Sequence, residues 1–124
     1  VQAELTPFID DTAQAFADAD VVIARAGAST VTELAAVGAA AIYVPFPHAV
    51  DDHQTTNARF VVDAGGGWLM PQHELKAQDL ADRLQFMTRR TLLACAEKAY
   101  AVRQVEAVAQ VVAACEQLAA KGKK

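Results

Sequence analysis

Short apolar runs alternate along the chain with longer segments in which apolar residues recur every three or four positions. The runs at 21–24 and 41–44 contain no charged residue and are typical of strands buried in a parallel sheet, whereas the longer segments are typical of helices. Gly38 and Pro45 stand where two of these elements end. The pattern therefore predicts an α/β protein with an open parallel sheet and flanking helices.

The predicted elements are three strands and six helices. We place the strands at 21–24, 41–44 and 68–70, and the helices at 10–17, 30–37, 53–64, 74–87, 90–102 and 105–120. The strand, helix, strand order over the first half corresponds to one right-handed βαβ unit. In the last helix, an apolar stripe that we expect to pack against the sheet is formed by residues 105, 108, 112, 115 and 119.

The composition favours one globular domain. Of the 124 residues, 53% are hydrophobic and 21% are charged, which is enough for a core and argues against disorder. The formal net charge of −4 argues against a nucleic-acid partner, because such a surface needs clustered lysine and arginine. We interpret the one basic run, 121–124, as a solvated tail. No apolar stretch approaches the roughly 20 residues of a membrane span, so we expect a cytoplasmic protein.

Cysteine and histidine give no familiar metal-site spacing. Cys95 and Cys115 lie far apart in helical patterns, so we expect both to be reduced thiols in the core. One group of side chains superficially resembles a ligand set, namely His48, Asp51, Asp52 and His53. Its spacing fits no standard zinc motif, and no histidine stands in an evident nucleophile and carboxylate arrangement. We therefore expect no metal and no cofactor.

The segment 21–33 is typical of a buried strand that runs through a tight turn into a helix. Gly27 allows the bend, and Ser29 or Thr30 can cap the helix. Glu33 follows Thr30 by three residues, which is the spacing of a capping box. The N–H groups of such a helix start, together with the positive end of its dipole, favour an anionic or hydroxyl-rich ligand. Ligands of open α/β sheets bind at this end of the strands.

Three segments resemble, in order and spacing, the motifs of the MurG family of bacterial N-acetylglucosaminyltransferases: 25–33, 43–48 and 52–58. The likeness also takes in 8–11 and the downstream helices, so it covers nearly the whole chain. It implies a Rossmann-like sheet in the C-terminal domain of a GT-B glycosyltransferase. On this interpretation residues 1–120 are a nucleotide-sugar (donor) binding domain truncated at its N-terminal side, and 121–124 are a basic tail.

The resemblance implies a donor-binding site that consists of Ile9, Arg25, Gly27, Ala28, Ser29, Thr30, Glu33, His53 and Gln54. Glu33 matches a residue that contacts the ribose hydroxyls of the uridine, and the alternative is the capping box. Ser29 and Thr30 donate to the diphosphate or only cap the helix. Arg25 binds phosphate or belongs to a structural ion pair. Ile9 reads the uracil edge through its backbone or is an ordinary core residue.

The resemblance assigns the sugar end of the donor to the start of the helix at 53–64. The family commonly places two polar residues there that contact the hydroxyls of N-acetylglucosamine. This chain has Gln54 at the second position, where the alternative is a surface residue, and His53 instead of glutamine at the first. Asn57, one turn later, faces the same side or stabilises the loop.

The function that the resemblance implies is transfer of N-acetylglucosamine from UDP-N-acetylglucosamine to the lipid-linked muramyl-pentapeptide, which converts lipid I to lipid II in peptidoglycan synthesis. The family's proposed base and its lipid-binding surface lie in an amino-terminal domain. We therefore expect this chain to be cut from a longer protein, to hold no catalytic residue, to be inactive alone and to make no direct membrane contact. The full-length inverting enzyme is expected to be peripheral on the cytoplasmic face of the inner membrane.

Two other functions stay open at this point. The alternatives to this interpretation are the donor-binding half of another GT-B transferase and that of a split two-subunit N-acetylglucosaminyltransferase. A non-enzymatic α/β regulator is a third class, but it leaves the turn at 27–30 and the helix start at 52–54 unexplained.

Overall fold

Three parallel strands form one sheet in the order β1, β2, β3. The computed structural model describes residues 2–46, 53–103, 115, 116 and 118. The strands are β1 (Val22–Ala24), β2 (Ala41–Tyr43) and β3 (Trp68–Leu69). Ile23 pairs with Ile42, and Ile42 pairs with Trp68. Every residue of β2 is buried, as is typical of the central strand of a parallel sheet.

The helices follow the strands in the alternating order that the sequence predicts. They are α1 (Thr12–Asp18), α2 (Ala28–Val37), α3 (His53–Asp63), a short 3-10 helix (Gln72–Glu74), α4 (Ala77–Phe86) and α5 (Arg89–Ala101). The predicted helix at 105–120 lies outside the described residues, apart from 115, 116 and 118, which are helical. No helix in the described ranges is long and apolar enough to cross a membrane.

Two helices start later than the sequence predicts, for local reasons. Helix α1 starts at Thr12 instead of residue 10, because the Asp11 carboxylate caps it by accepting from the backbone N–H of Gln14 at 3.0 Å. Helix α4 starts at Ala77 instead of residue 74. There the chain first makes the 3-10 turn, and Lys76 is then extended, with φ −112° and ψ 147°.

Helix α2 packs its apolar face into the core. Val31, Leu34 and Ala35 are its buried residues, and their spacing puts them on one side of the helix. Gly38 ends the helix with a left-handed φ of 70°, as predicted. The backbone N–H of Ala39 then donates to Leu34 O at 2.9 Å, so the chain turns directly into β2.

The glycine run before β3 allows two close approaches. A Cβ atom at Gly66 would lie 2.7 Å from the Cα of Ala99 in α5, and one at Gly67 would lie 2.9 Å from Cε2 of Tyr43. Helix α5 and the ring of Tyr43 can therefore pack against this turn only because no side chain is present.

The two cysteines lie in different environments. Cys95 in α5 is 4% exposed, as expected of a core thiol. Cys115 is exposed, so the expectation of a core position is wrong for it. Residues 115, 116 and 118 are all exposed, and none of the described elements covers Cys115. The predicted apolar stripe therefore has at least one member on the surface.

Candidate functional site

The ends of β1 and β2 meet the starts of α2 and α3 at one side of the sheet. This side, which we call the carboxyl edge, consists of the turn at 25–27, the loop at 44–46 and the first turns of α2 and α3. The backbone N–H of Val44 donates to Ala24 O at 2.8 Å, so the pairing of β1 with β2 extends up to this edge. In open parallel sheets, ligands bind here.

Helix α2 starts at the carboxyl edge without a side-chain cap. Its N-cap is Gly27, with φ −61° and ψ 148°, and its first backbone hydrogen bond runs from Val31 N–H to Gly27 O at 3.0 Å. The predicted capping by Ser29 or Thr30 is therefore wrong, because the helix begins two residues earlier and both residues lie inside its first turn. Within the described part of the chain, no side chain caps the N–H groups of that turn, so there they are available to a ligand.

Glu33 lies one turn further along α2 and is exposed. The predicted capping box with Thr30 does not form, because Thr30 is not the N-cap. Instead the hydroxyl of Ser29 donates to Glu33 Oε1 at 3.3 Å. The spacing of four residues could have revealed this pair from the sequence. The carboxylate and the hydroxyl therefore stand together on the outer face of the helix start.

Arg25 connects the end of β1 to the loop after β2. Its Nη1 donates to Val44 O at 3.4 Å and to Pro45 O at 3.3 Å. The guanidinium carbon also lies 5.6 Å from the centre of the Phe46 ring, within the range of a cation–π contact. The sequence suggested a phosphate ligand or an ion pair, and Arg25 makes no ion pair with any described carboxylate. Its observed partners are two carbonyls and a ring.

Gln54 and Asn57 project from the first turns of α3 towards the same edge. Gln54 Oε1 accepts from the backbone N–H of Phe46 at 2.7 Å. Asn57 Nδ2 donates to Ala26 O at 3.2 Å. Gln54 is therefore more than a surface helix residue, and Asn57 stabilises the turn after β1. His53 is exposed at the first described residue of α3.

Ile9 precedes α1, the helix that packs against α2. Its side chain is 49% exposed, so the alternative of an ordinary core isoleucine is wrong. The neighbouring Phe8 is even more exposed. The structure brings no side chain of this segment into a hydrogen bond with the described residues of the carboxyl edge.

Two cavities lie away from these residues. One, of about 450 Å³, is lined by residues that include Asp20, Gly38, Arg89 and Leu93. The other, of about 440 Å³, is lined by residues that include Met70, Glu74 and, along α4, Asp79 and Phe86. Neither cavity includes the candidate residues of the carboxyl edge.

Two titratable groups are buried in the core. Burial raises the pKa of Tyr43 to about 12, and its hydroxyl has no hydrogen-bond partner among the described residues. Burial also raises the pKa of the Cys95 thiol. Both groups stay protonated near neutral pH, so neither supplies a base or a nucleophile. Among the described residues no three His, Cys, Asp or Glu side chains form a metal site, while His48, Asp51 and Asp52 lie outside those residues.

The open parallel sheet and its flanking helices define an α/β domain of the Rossmann-like type. The chain belongs to the family described as the glycosyltransferase family 28 C-terminal domain, whose profile matches residues 1–117. The predicted fold class, an open parallel sheet with flanking helices in a GT-B glycosyltransferase domain, is thereby confirmed.

The chain is also similar to curated proteins of known name. A protein of Polaromonas named UDP-N-acetylglucosamine--N-acetylmuramyl-(pentapeptide) pyrophosphoryl-undecaprenol N-acetylglucosamine transferase is 69% identical over 119 residues, which are 96% of this chain and 31% of the relative. A protein of the same name from an Acidovorax species is 65% identical, over 96% of this chain and 30% of its own length.

A solved structure has the same fold. The crystal structure of Acinetobacter baumannii MurG matches with a TM-score of 0.83 and 42% identity, over 92% of this chain and 33% of that one. The resemblance to the MurG family is confirmed. The chain spans about a third of the length of the relatives that it matches.

Proposed function

We propose that this chain is the donor-binding part of an inverting N-acetylglucosaminyltransferase that transfers GlcNAc from UDP-GlcNAc to the lipid-linked muramyl-pentapeptide, which converts lipid I to lipid II. The observation that carries the proposal is the uncapped start of α2 at the carboxyl edge, in a chain so similar to transferases of that name. Such a helix start suits the diphosphate of a nucleotide sugar.

The diphosphate is bound at the first turn of α2, where Gly27, Ala28, Ser29 and Thr30 stand. Backbone N–H groups without a side-chain acceptor among the described residues, together with the helix dipole, favour the negative charge. The Ser29 hydroxyl adds a donor when it leaves Glu33 for a phosphate oxygen. As UDP departs, the same groups stabilise the charge that develops on it.

The nucleoside is bound along the outer face of α2. Glu33 accepts hydrogen bonds from the ribose hydroxyls, since an exposed carboxylate offers two oxygens to a diol. The backbone of Ile9 reads the uracil edge. Ile9 precedes α1, and α1 packs against α2, the helix that contains Glu33.

The sugar is bound at the start of α3 by Gln54, with His53 beside it. Because Gln54 Oε1 already accepts from Phe46 N–H, the side chain offers a sugar its Nε2 donors. Gln54 therefore recognises the lone pairs of a sugar hydroxyl. Such a residue discriminates between epimers, because the wrong one leaves it unpaired.

The reaction needs groups that this chain does not supply. The muramyl 4-hydroxyl forms a bond to the anomeric carbon, the bond from that carbon to UDP breaks, and the hydroxyl proton passes to a base. We assign the base and the lipid-binding surface to another domain of the full-length protein. That protein binds its lipid-linked acceptor as a peripheral enzyme on the cytoplasmic face of the inner membrane, and this chain alone transfers no sugar.

The test is transfer by the full-length protein that contains this chain. Purified protein is mixed with lipid I and radiolabelled UDP-GlcNAc, and lipid II is separated by chromatography. The proposal predicts labelled lipid II with the full-length protein and none with residues 1–124 alone. Labelling of a different lipid or small-molecule acceptor, with none of lipid I, would instead favour another GT-B transferase.

A further inference from the structure

Three segments of the carboxyl edge are tied to one another in pairs. Arg25 links the turn after β1 to the loop after β2, through Val44 O and Pro45 O. Gln54 links that loop to α3, and Asn57 links α3 back to the turn after β1. Each pair of segments is therefore held by one side chain, and together the three side chains, with four hydrogen bonds, close a triangle.

Arg25 contributes the Nη1 atom of its guanidinium group to this triangle. The Nη1 atom donates to two carbonyl oxygens, and the guanidinium carbon lies 5.6 Å from the centre of the Phe46 ring. Phe46 is the residue whose backbone N–H donates to Gln54. These contacts continue the pairing of β1 with β2 one step beyond the Val44 to Ala24 bond. The guanidinium is thus turned towards the protein chain, and its position fixes that of the Phe46 backbone.

We propose that Arg25 is a positioning residue of the donor site, which holds the Val44–Phe46 loop so that Gln54 stands at the right distance from the start of α2, and that it does not bind the diphosphate. This inference rests on the proposed function. If it is correct, removing Arg25 weakens the binding of the sugar part of the donor and leaves the binding of the nucleotide part unchanged.

The shape of arginine is what this role requires. A planar guanidinium can donate to two carbonyls while it stacks on a ring, whereas a lysine ammonium is a point charge on a flexible stem. A phosphate ligand needs chiefly the positive charge. Replacement by lysine therefore separates the two roles: lysine substitutes for arginine at a phosphate but not in the triangle.

The experiment measures two quantities in the full-length protein: the Kd for UDP by calorimetry, and the KM for UDP-GlcNAc with lipid I in excess. Arg25→Ala and Arg25→Lys are each expected to raise the KM for UDP-GlcNAc by about tenfold while the Kd for UDP changes by less than about threefold. Arg89→Ala, which removes an exposed positive charge from α5, is the matched control and should change neither.

A second variant protects the test against simple misfolding. Phe46→Leu removes the ring without altering charge and should raise the KM for UDP-GlcNAc in the same direction. When Phe46→Leu is combined with Arg25→Ala, it should raise the KM for UDP-GlcNAc by a smaller factor than it does alone, because the two residues act through one contact. Fully additive effects would contradict the inference.

The failure of this inference differs from the failure of the proposed function. If Arg25→Ala weakens UDP binding by tenfold or more and Arg25→Lys restores it, Arg25 is a phosphate ligand and only the positioning role is wrong. If the unmodified protein binds neither UDP nor UDP-GlcNAc, the donor site itself is wrong and both proposals fall.

Discussion

Gln54 Oε1 accepts a hydrogen bond from the backbone N–H of Phe46 at 2.7 Å. Because a backbone N–H can only donate, the bond also fixes which end of the amide is oxygen. The Nε2 atom makes no hydrogen bond to another described residue, so it is left for a ligand. The same side chain therefore holds the loop with one end and can bind a sugar with the other.

Substitutions at Gln54 separate these two roles. Gln54→Glu keeps an acceptor for Phe46 N–H but removes both N–H donors, whereas Gln54→Ala removes the acceptor and the donors. Both variants should weaken use of UDP-GlcNAc by about 10- to 100-fold, the range for one lost hydrogen bond to substrate, and inhibition by UDP should stay nearly constant. Only Gln54→Ala should loosen the loop, which a lower Tm would report. Equal loss of UDP inhibition would mean that Gln54 has no sugar role.

Glu33 is predicted to act on the nucleotide and not on stability. Its partner in the structure is an exposed hydroxyl one turn away, and such a pair contributes little to folding. Glu33→Ala in the full-length protein should therefore weaken UDP binding by roughly 1.5–3 kcal/mol, as for a charged hydrogen bond, with little change in Tm.

The matched control for Glu33 is Asp18→Ala. Asp18 is also an exposed helical carboxylate, bound by the Gln14 amide at 2.8 Å over the same spacing. Its removal should leave UDP binding as it was. A fall in Tm for Glu33→Ala, with the KM for the nucleotide sugar unchanged, would reject the ribose role.

Tyr43 gives a prediction for stability at alkaline pH. Its pKa is about 12 in the folded state, against about 10 in the unfolded chain, so folding favours the protonated form. The corresponding stability is fully present below pH 10 and is lost as the pH rises towards 12. Tyr43→Phe should remove this part of the alkaline loss.

At neutral pH the same substitution should be neutral or raise the free energy of unfolding by about 1 kcal/mol, since it removes a buried hydroxyl that has no partner among the described residues. Tyr100→Phe, at a half-exposed tyrosine, is the control and should have little effect. Urea unfolding at pH 7, 10 and 11.5 measures both. A loss of more than 1 kcal/mol in Tyr43→Phe at pH 7 would reveal an unseen partner.

The sequence predicted the elements because their signals are local. The apolar runs at 21–24 and 41–44 and the left-handed Gly38 specify β1, β2 and the end of α2, whatever the rest of the chain does. The start of α2 was less predictable. Ser29 and Thr30 have good capping side chains, yet the backbone already turns at Gly27, and glycine carries no side chain to signal a cap.

The contacts that organise the carboxyl edge join residues far apart in sequence. Arg25 and Pro45 are 20 positions apart, and Ala26 and Asn57 are 31 apart. No period or motif spacing encodes such a bond, because it depends on how two strands and a helix are placed in space. The sequence identifies Arg25 and Gln54 as candidates, but only the fold shows which of their atoms already make hydrogen bonds within the protein.

The central claim is that UDP-GlcNAc binds at the start of α2. Hydrogen exchange of the full-length protein, measured by mass spectrometry with and without saturating UDP-GlcNAc, tests it directly, because the N–H groups of the first turn lack helical acceptors and exchange quickly. If UDP-GlcNAc binds there, it should slow exchange in peptides covering 27–33 and 53–57. Exchange in a peptide covering 89–96, which contributes to the lining of the 450 Å³ cavity, should stay unchanged. Protection confined to other regions, with exchange at 27–33 unaltered, would contradict it.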